Sequence, residues 1–189
     1  LSFFKIIIRI ILIPLMAKGI GPGDAVITTP FTYIATAEVI SLLGATPVFV
    51  DIYESTFNIN PSNIQDAIKF AFKNNLNPKA IIAVDLFGLP ARYRVIDKIA
   101  KDFNLFVIED AAQSFGGVIK GKKVGSFGDV ASTSFFPAKP LGCYGDGGAI
   151  FTEDDDLALK MKSIRVHGGG NDKYSNVRLG VNGRLDTIQ

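Results

Sequence analysis

The stretch Asp129-Val-Ala-Ser-Thr-Ser-Phe-Phe-Pro-Ala-Lys-Pro-Leu-Gly-Cys-Tyr-Gly-Asp-Gly-Gly148 joins an apolar, hydroxyl-bearing run to a glycine-rich turn, with Lys139 between them. Val130 to Phe135 reads as a buried strand carrying Ser132, Thr133 and Ser134. Gly142, Gly145, Gly147 and Gly148 let the backbone turn tightly and approach a ligand. A lysine in apolar surroundings loses solvation of its ammonium and can become a free amine that attacks carbonyls. The plain alternative is a surface lysine on a loop, which is what most lysines are.

Immediately upstream, Leu105-Phe-Val-Ile-Glu-Asp-Ala-Ala-Gln-Ser114 is a short apolar strand that ends in acidic and amide residues. In open α/β sheets, ligands bind at the carboxyl ends of the strands. Asp110 is therefore placed where a cofactor would sit. A carboxylate there can pair with a protonated ring nitrogen, as pyridoxal phosphate requires of its protein. The competing reading makes Asp110 the N-cap of a helix over Ala111–Gln113.

Working outward, strands and helices alternate. Strands are expected at Ala25–Thr29, Pro47–Asp51, Lys79–Asp85, Leu105–Glu109, Val130–Phe135 and Gly148–Phe151. Helices are expected near Ile34–Leu43 and over Asn63–Lys73, Arg92–Asn104 and Asp154–Val166. The pattern implies an α/β fold, a mainly parallel central sheet flanked by helices. Gly168-Gly-Gly-Asn-Asp172 reads as a flexible loop.

Composition narrows the function. The chain has 189 residues, 48% hydrophobic and 20% charged, enough for one domain with a real core. A net charge of +2, with no basic stripe, argues against a nucleic-acid partner. A single cysteine, Cys143, excludes an intrachain disulfide framework and fits a reducing, cytoplasmic compartment. One His and one Cys argue against a metal cluster, and His167 beside Gly168 reads as structural.

Four segments carry a resemblance. They are Gly23-Asp-Ala-Val-Ile-Thr-Thr-Pro-Phe-Thr-Tyr-Ile-Ala-Thr-Ala-Glu38, Ile108-Glu-Asp-Ala-Ala-Gln-Ser-Phe-Gly116, Thr133 to Ala149, and Gly180-Val-Asn-Gly-Arg-Leu-Asp-Thr-Ile-Gln189. Together they resemble the DegT–DnrJ family of nucleotide-sugar aminotransferases, pyridoxal-phosphate enzymes of fold type I. The resemblance implies that Lys139 carries the cofactor and acts as general base and acid. It implies that Asp110 holds the ring nitrogen, Gln113 lies near the phenolic oxygen and Ser134 binds the phosphate. Tyr33 would stack on the ring, with Phe31 left as a core aromatic. Asn182 would reach the phosphate of a neighbouring subunit, so a homodimer is implied when the protein is full length. The substrates implied are a nucleotide-linked keto sugar and an amino donor, glutamate first. Relatives that dehydrate carry histidine in place of the lysine, and Lys139 argues against that outcome. The rival is an inactive truncated remnant without catalysis of its own.

The family-like stretch is expected to run from about Met16, giving residues 16–189 as a partial cofactor-binding large domain. Residues 1–15 are apolar with Lys5 and Arg9 inside, too short for a comfortable membrane span, and read as foreign to the family. An apolar helix packed on the core is the other reading. Nothing in 1–15 matches the family's Ser/Asn-Gly-Thr phosphate-binding segment. Relatives about twice as long imply a piece of a longer protein, without its small domain.

Overall fold

The computed structural model describes residues 7–172, 174–185 and 187. Residues 1–6 of the odd N-terminal run, and Asp186 of the last motif, lie outside the described residues. Six strands form one sheet in the order β2-β1-β3-β4-β7-β8. They are β1 Asp24–Thr28, β2 Thr46–Phe49, β3 Asn77–Val84, β4 Phe106–Asp110, β7 Val130–Ser134 and β8 Gly148–Phe151. A small antiparallel ribbon, β5 Val118–Ile119 with β6 Lys122–Lys123, stands apart from it.

All pairings in the sheet are parallel except β7 with β8. The exception has a simple cause. The first four strands are linked by helical crossovers, whereas β7 and β8 are joined by the irregular loop that carries Lys139. Helices α1 Ile7–Ala17, α2 Ala35–Leu42 and α5 Asp155–Arg165 cover one face. Helices α3 Ile64–Lys73 and α4 Tyr93–Phe103 cover the other. Alternation along each strand feeds both layers: Ile82 and Ile108 face the first, Ile81 and Val107 the second.

Local signals place the helices. Asn60 caps the turn before α3 by accepting from the Ser62 N–H at 3.0 Å, and Pro61 opens it. Asp154 caps α5 through the Leu157 N–H at 2.9 Å. Asn104 ends α4 in the left-handed region at φ 53°.

Three expectations change. First, one helix runs through Met16, so no seam in the fold falls between residues 15 and 16. Ile10, Ile11, Ile13 and Leu15 are buried against α2, α5 and the sheet. Among the described residues no helix is long and apolar enough to cross a membrane. Second, no helix follows Asp110. The Ala111 N–H continues the ladder onto the Ser132 carbonyl at 2.8 Å, and the chain then closes into turns through Ser114 and Gly117. Asp110 instead accepts from the Ala112 N–H two residues on, at 3.2 Å. Third, the Gly168 run is tied down rather than free. Gly170 N–H donates to Ser175 at 2.7 Å and Ser163 Oγ to Gly169 at 2.6 Å. A Cβ on Gly180 would overlap the Gly168 backbone, so these two glycines let the chain cross itself.

Ile108 sits fully buried in the central strand β4. Ile108→Ala should lower the free energy of unfolding by about 2–5 kcal/mol, read from urea melts.

Candidate active site

The site forms where β1, β4 and β7 end. Pairing of β4 with β7 sets Asp110 opposite Ser132, so Asp110, Ser132 and Ser134 point to the same face of the sheet. Helix α2 lies over that face and supplies Thr36, whose Oγ1 donates to Asp110 Oδ2 at 3.3 Å. Asp110 is 5% exposed. Burial pushes its carboxyl up to about 6. The Ala112 N–H and Thr36 hydroxyl pull it back, Asp85 adds a little more, and the Lys139 ammonium pulls it down. Lys139 and Asp110 are thus within electrostatic reach, as their placement in the sequence suggests.

Lys139 is half-buried rather than sealed in an apolar pocket. Its loop is held closed by the Lys139 N–H on the Phe136 carbonyl at 2.8 Å and the Cys143 N–H on the Phe135 carbonyl at 2.8 Å. A Cβ at Gly142 would lie 2.5 Å from the Pro137 carbonyl oxygen, so the loop closes this tightly only with glycine there. Ser134 is buried and its Oγ accepts from the Phe136 N–H at 3.2 Å. Its own proton remains available.

Gln113 lies in the turn after Asp110, not on a helix. Its Oε1 accepts from the Phe87 N–H at 2.9 Å. That bond fixes the amide and leaves Nε2 as a free donor. Tyr33 is 48% exposed and lies just ahead of α2. Phe31 is no core aromatic: it is 46% exposed and stacks on Phe57 with centroids 5.3 Å apart. Asn182 stands away from these groups, exposed, bridged to Val166, with its Oδ1 accepting from Arg184 Nε at 3.1 Å. His167 has a backbone role, its N–H on the Val181 carbonyl at 3.1 Å.

Sequence reading missed Thr36, Asp85, Glu109 and Phe87. The strand-end rule that picks out Asp110 applies equally to Asp85, which directly follows β3. Thr36 carried no such signal. A cleft of about 1480 Å³ lies elsewhere, along β8 and α5 and around the amino ends of β3, β4 and β7. None of the six site residues lines it.

The donor set fits pyridoxal phosphate. Asp110 offers a buried acceptor for a ring N–H. Gln113 Nε2 offers a donor for an anionic oxygen, and Ser134 a hydroxyl for a phosphate. Lys139 adds an amine beside them. Among the described residues no cluster suits a metal ion. A mostly parallel sheet with helices on both faces, an amine and a buried carboxylate at its carboxyl end is an arrangement suited to a ring cofactor that works on carbonyls.

The particular family follows from comparison. Residues 10–189 match the DegT/DnrJ/EryC1/StrS aminotransferase family, and the chain belongs to it. With that membership goes the pyridoxal phosphate on which such aminotransferases depend. The UDP-2-acetamido-2-deoxy-3-oxo-D-glucuronate aminotransferase of Pseudomonas aeruginosa is 53% identical over 92% of this chain and 46% of its own length. A DegT DnrJ EryC1 StrS aminotransferase from Brucella abortus superposes with a TM-score of 0.94 at 54% identity, covering 96% of this chain and 49% of that one. NtdA from Bacillus subtilis, solved with the cofactor PMP bound, superposes with a TM-score of 0.86 at 35% identity, over 96% of this chain and 40% of that one. The chain spans about half the length of the relatives it matches.

Burial raises the folded pKa of Asp110 from 3.8 to about 6. For a raised carboxyl, the stability is fully present below the unfolded value and is lost as pH rises through the folded one. The ionised side chain therefore weakens the cofactor-free fold at pH 7 by about 3 kcal/mol. Asp110→Asn should melt higher than the native chain at pH 7, and the gap should close near pH 4. Thermal denaturation across that range checks it.

Proposed function

We propose that this chain forms most of the cofactor-holding domain, residues 16–189 with the α1 helix packed on it, of a sugar aminotransferase. The enzyme moves an amino group from an amino acid, glutamate first, to a keto sugar carried on a nucleotide, for surface polysaccharide or amino-sugar synthesis. The Pseudomonas aeruginosa relative supports UDP-2-acetamido-2-deoxy-3-oxo-glucuronate as the acceptor. The single observation that carries the reading is Lys139 within electrostatic reach of buried Asp110 at the carboxyl end of the sheet. The one half-buried cysteine supports a cytoplasmic setting.

Pyridoxal phosphate, when bound, supplies the electron sink for amino-group transfer. Asp110 would hold the ring nitrogen and its proton. Gln113 Nε2 would donate to the phenolic oxygen, Ser134 Oγ to the phosphate, and the Tyr33 ring would cover one face. Lys139 Nζ would be the amine that holds the cofactor and, when free, a base and acid able to move a proton. Asn182, exposed and with Nδ2 free beside its occupied Oδ1, suits a donor to the phosphate of a second subunit in a homodimer.

Borohydride treatment with pyridoxal phosphate, then peptide mapping, should label Lys139 in the full-length enzyme. A label confined to other lysines overturns the assignment. Asp110→Asn should cut transamination well over tenfold, more than about 1.4 kcal/mol in barrier. A smaller loss makes Asp110 a mere turn residue. Asn182 is tested by mixing full-length subunits that carry Lys139→Ala and Asn182→Ala. A shared site leaves one composite site intact, so activity should recover toward half of wild type. An average of the two parents places Asn182 in its own subunit.

The second reading is a chain with no turnover of its own. Adding pyridoxal phosphate to the isolated chain should then give little visible absorbance and no transamination.

A further inference from the structure

On the far face of the sheet from Asp110 lies a second polar group that the transfer chemistry does not use. Strand alternation turns Glu109 and Asp85 toward α4 while Asp110 points toward α2. Both carboxyls are fully buried. Asp85 accepts from Tyr93 Oη at 2.7 Å, Ser114 Oγ at 2.9 Å and the Ala91 N–H at 3.0 Å. Glu109 accepts from the Phe127 N–H at 2.7 Å and the Gly125 N–H at 2.8 Å. The two carboxyls lie on the same face of neighbouring parallel strands, Glu109 opposite Ala83 and Asp85 two residues further along the chain, within electrostatic reach of each other. In all five of these bonds a carboxyl oxygen is the acceptor. Two like charges buried side by side are costly, and one proton held between them removes the conflict.

We infer that Asp85 and Glu109 share one proton, and that this acid pair is a positioning device for the two loops that hold Gln113. Asp85 takes the Ala91 N–H from the loop after β3 and the Ser114 hydroxyl from the turn after β4. Those segments meet at Gln113, where the Phe87 N–H reaches Oε1. The proton belongs on Glu109, because Asp85 has three other donors and is the better anion. Burial raises the carboxyl of Glu109 to about 7, with the Asp85 charge adding to it, and burial raises Asp85 as well. The other titratable groups facing the pair are Tyr93 from α4, pushed further up by burial, and Asp110, itself under the pull of Lys139. The strand ends thus present two negative charges instead of three, one of them on the cofactor face. The inference rests on the proposed function only for what Gln113 and Asp110 are for.

The test is a carboxyl-carbon NMR titration of the native chain and of Asp85→Asn, whose amide can supply an N–H where the shared proton stood. Glu109 should titrate near neutrality in the native chain. In Asp85→Asn its proton affinity should fall more than tenfold, and that of Asp110 should fall too, since a neighbouring charge is gone. Glu109 already ionised at pH 5.5 in the native chain overturns the shared proton, and that measurement stands even if the variant does not fold. An unmoved Glu109 midpoint in the folded variant overturns it equally. Asp85→Ala should shift the amide resonances of Phe87 and Gln113, which Asp85→Asn should leave in place. A folded Asp85→Ala with those resonances unmoved removes the positioning role. Lys139 labelling fails or succeeds independently of all these titrations.

Discussion

Two backbone hydrogen bonds at one end of the sheet fix where everything else sits. The Asp85 N–H donates to the Asp110 carbonyl at 3.0 Å, and the Ala111 N–H donates to the Ser132 carbonyl at 2.8 Å. They lock the last residue of β4 between its two parallel neighbours. A slip of one residue in β4 would turn Asp110 to the α4 face and Glu109 to the α2 face. The acid that faces Thr36 and Lys139 would then be lost to the core behind. Register is held because Ile108 and Val107 belong to opposite hydrophobic layers, and a slip would exchange them too. The core therefore chooses which carboxylate faces Thr36 and Lys139.

That choice explains why two adjacent acids have different lives. Glu109 reaches into the side of the sheet where backbone N–H groups of Gly125 and Phe127 converge. Asp110 has only one backbone donor and a long contact from Thr36 at 3.3 Å. It has fewer donors, and a ring N–H brought to it would restore what burial takes away. Sharing a proton between Asp85 and Glu109 keeps the far face from adding a third charge to this one.

Most of the sheet was legible because each strand is a short apolar run closed by turn residues, and two of the helical segments carry start signals, Asp154 before α5 and Pro61 before α3. Asp110 stands out by the strand-end rule, Lys139 by its place between an apolar strand and a glycine-rich turn, and Ser134 by the family resemblance alone. The bond from Thr36 to Asp110 was not legible, because it joins residues 74 apart. The helix expected after Asp110 failed where tertiary bonding overrode local preference: Ala111 still pairs with β7, and Ser114 is held by Asp85. Phe31 was misplaced because an aromatic in a run of apolar and hydroxyl residues carries no mark of which side it faces. The glycines of the Gly168 run looked like freedom and are instead the space through which one backbone passes another.

The rim of the site shows what that precision costs. Phe57 and Phe87 both sit in the left-handed region, at φ 59° and 55°, without being glycine. Each such residue costs on the order of 1–3 kcal/mol and persists only where its surroundings over-determine it. Here the determinant is Asn58, which is buried and joins the two loops. Its Oδ1 accepts from the Leu86 N–H at 3.0 Å, and its Nδ2 donates to the Leu89 carbonyl at 2.8 Å. Buried amide bonds of this kind stabilise by about 1 kcal/mol each, and leaving either group unmet would cost more. Phe57 then meets Phe31 face to face and Phe87 edge-on, with centroids 5.3 and 5.8 Å apart. The strain is offset locally, by one amide and three rings. At the same turn the Phe87 N–H donates to Gln113 Oε1 at 2.9 Å and holds the Gln113 amide. The strained rim and the acid pair beneath it therefore act on the same side chain from two directions.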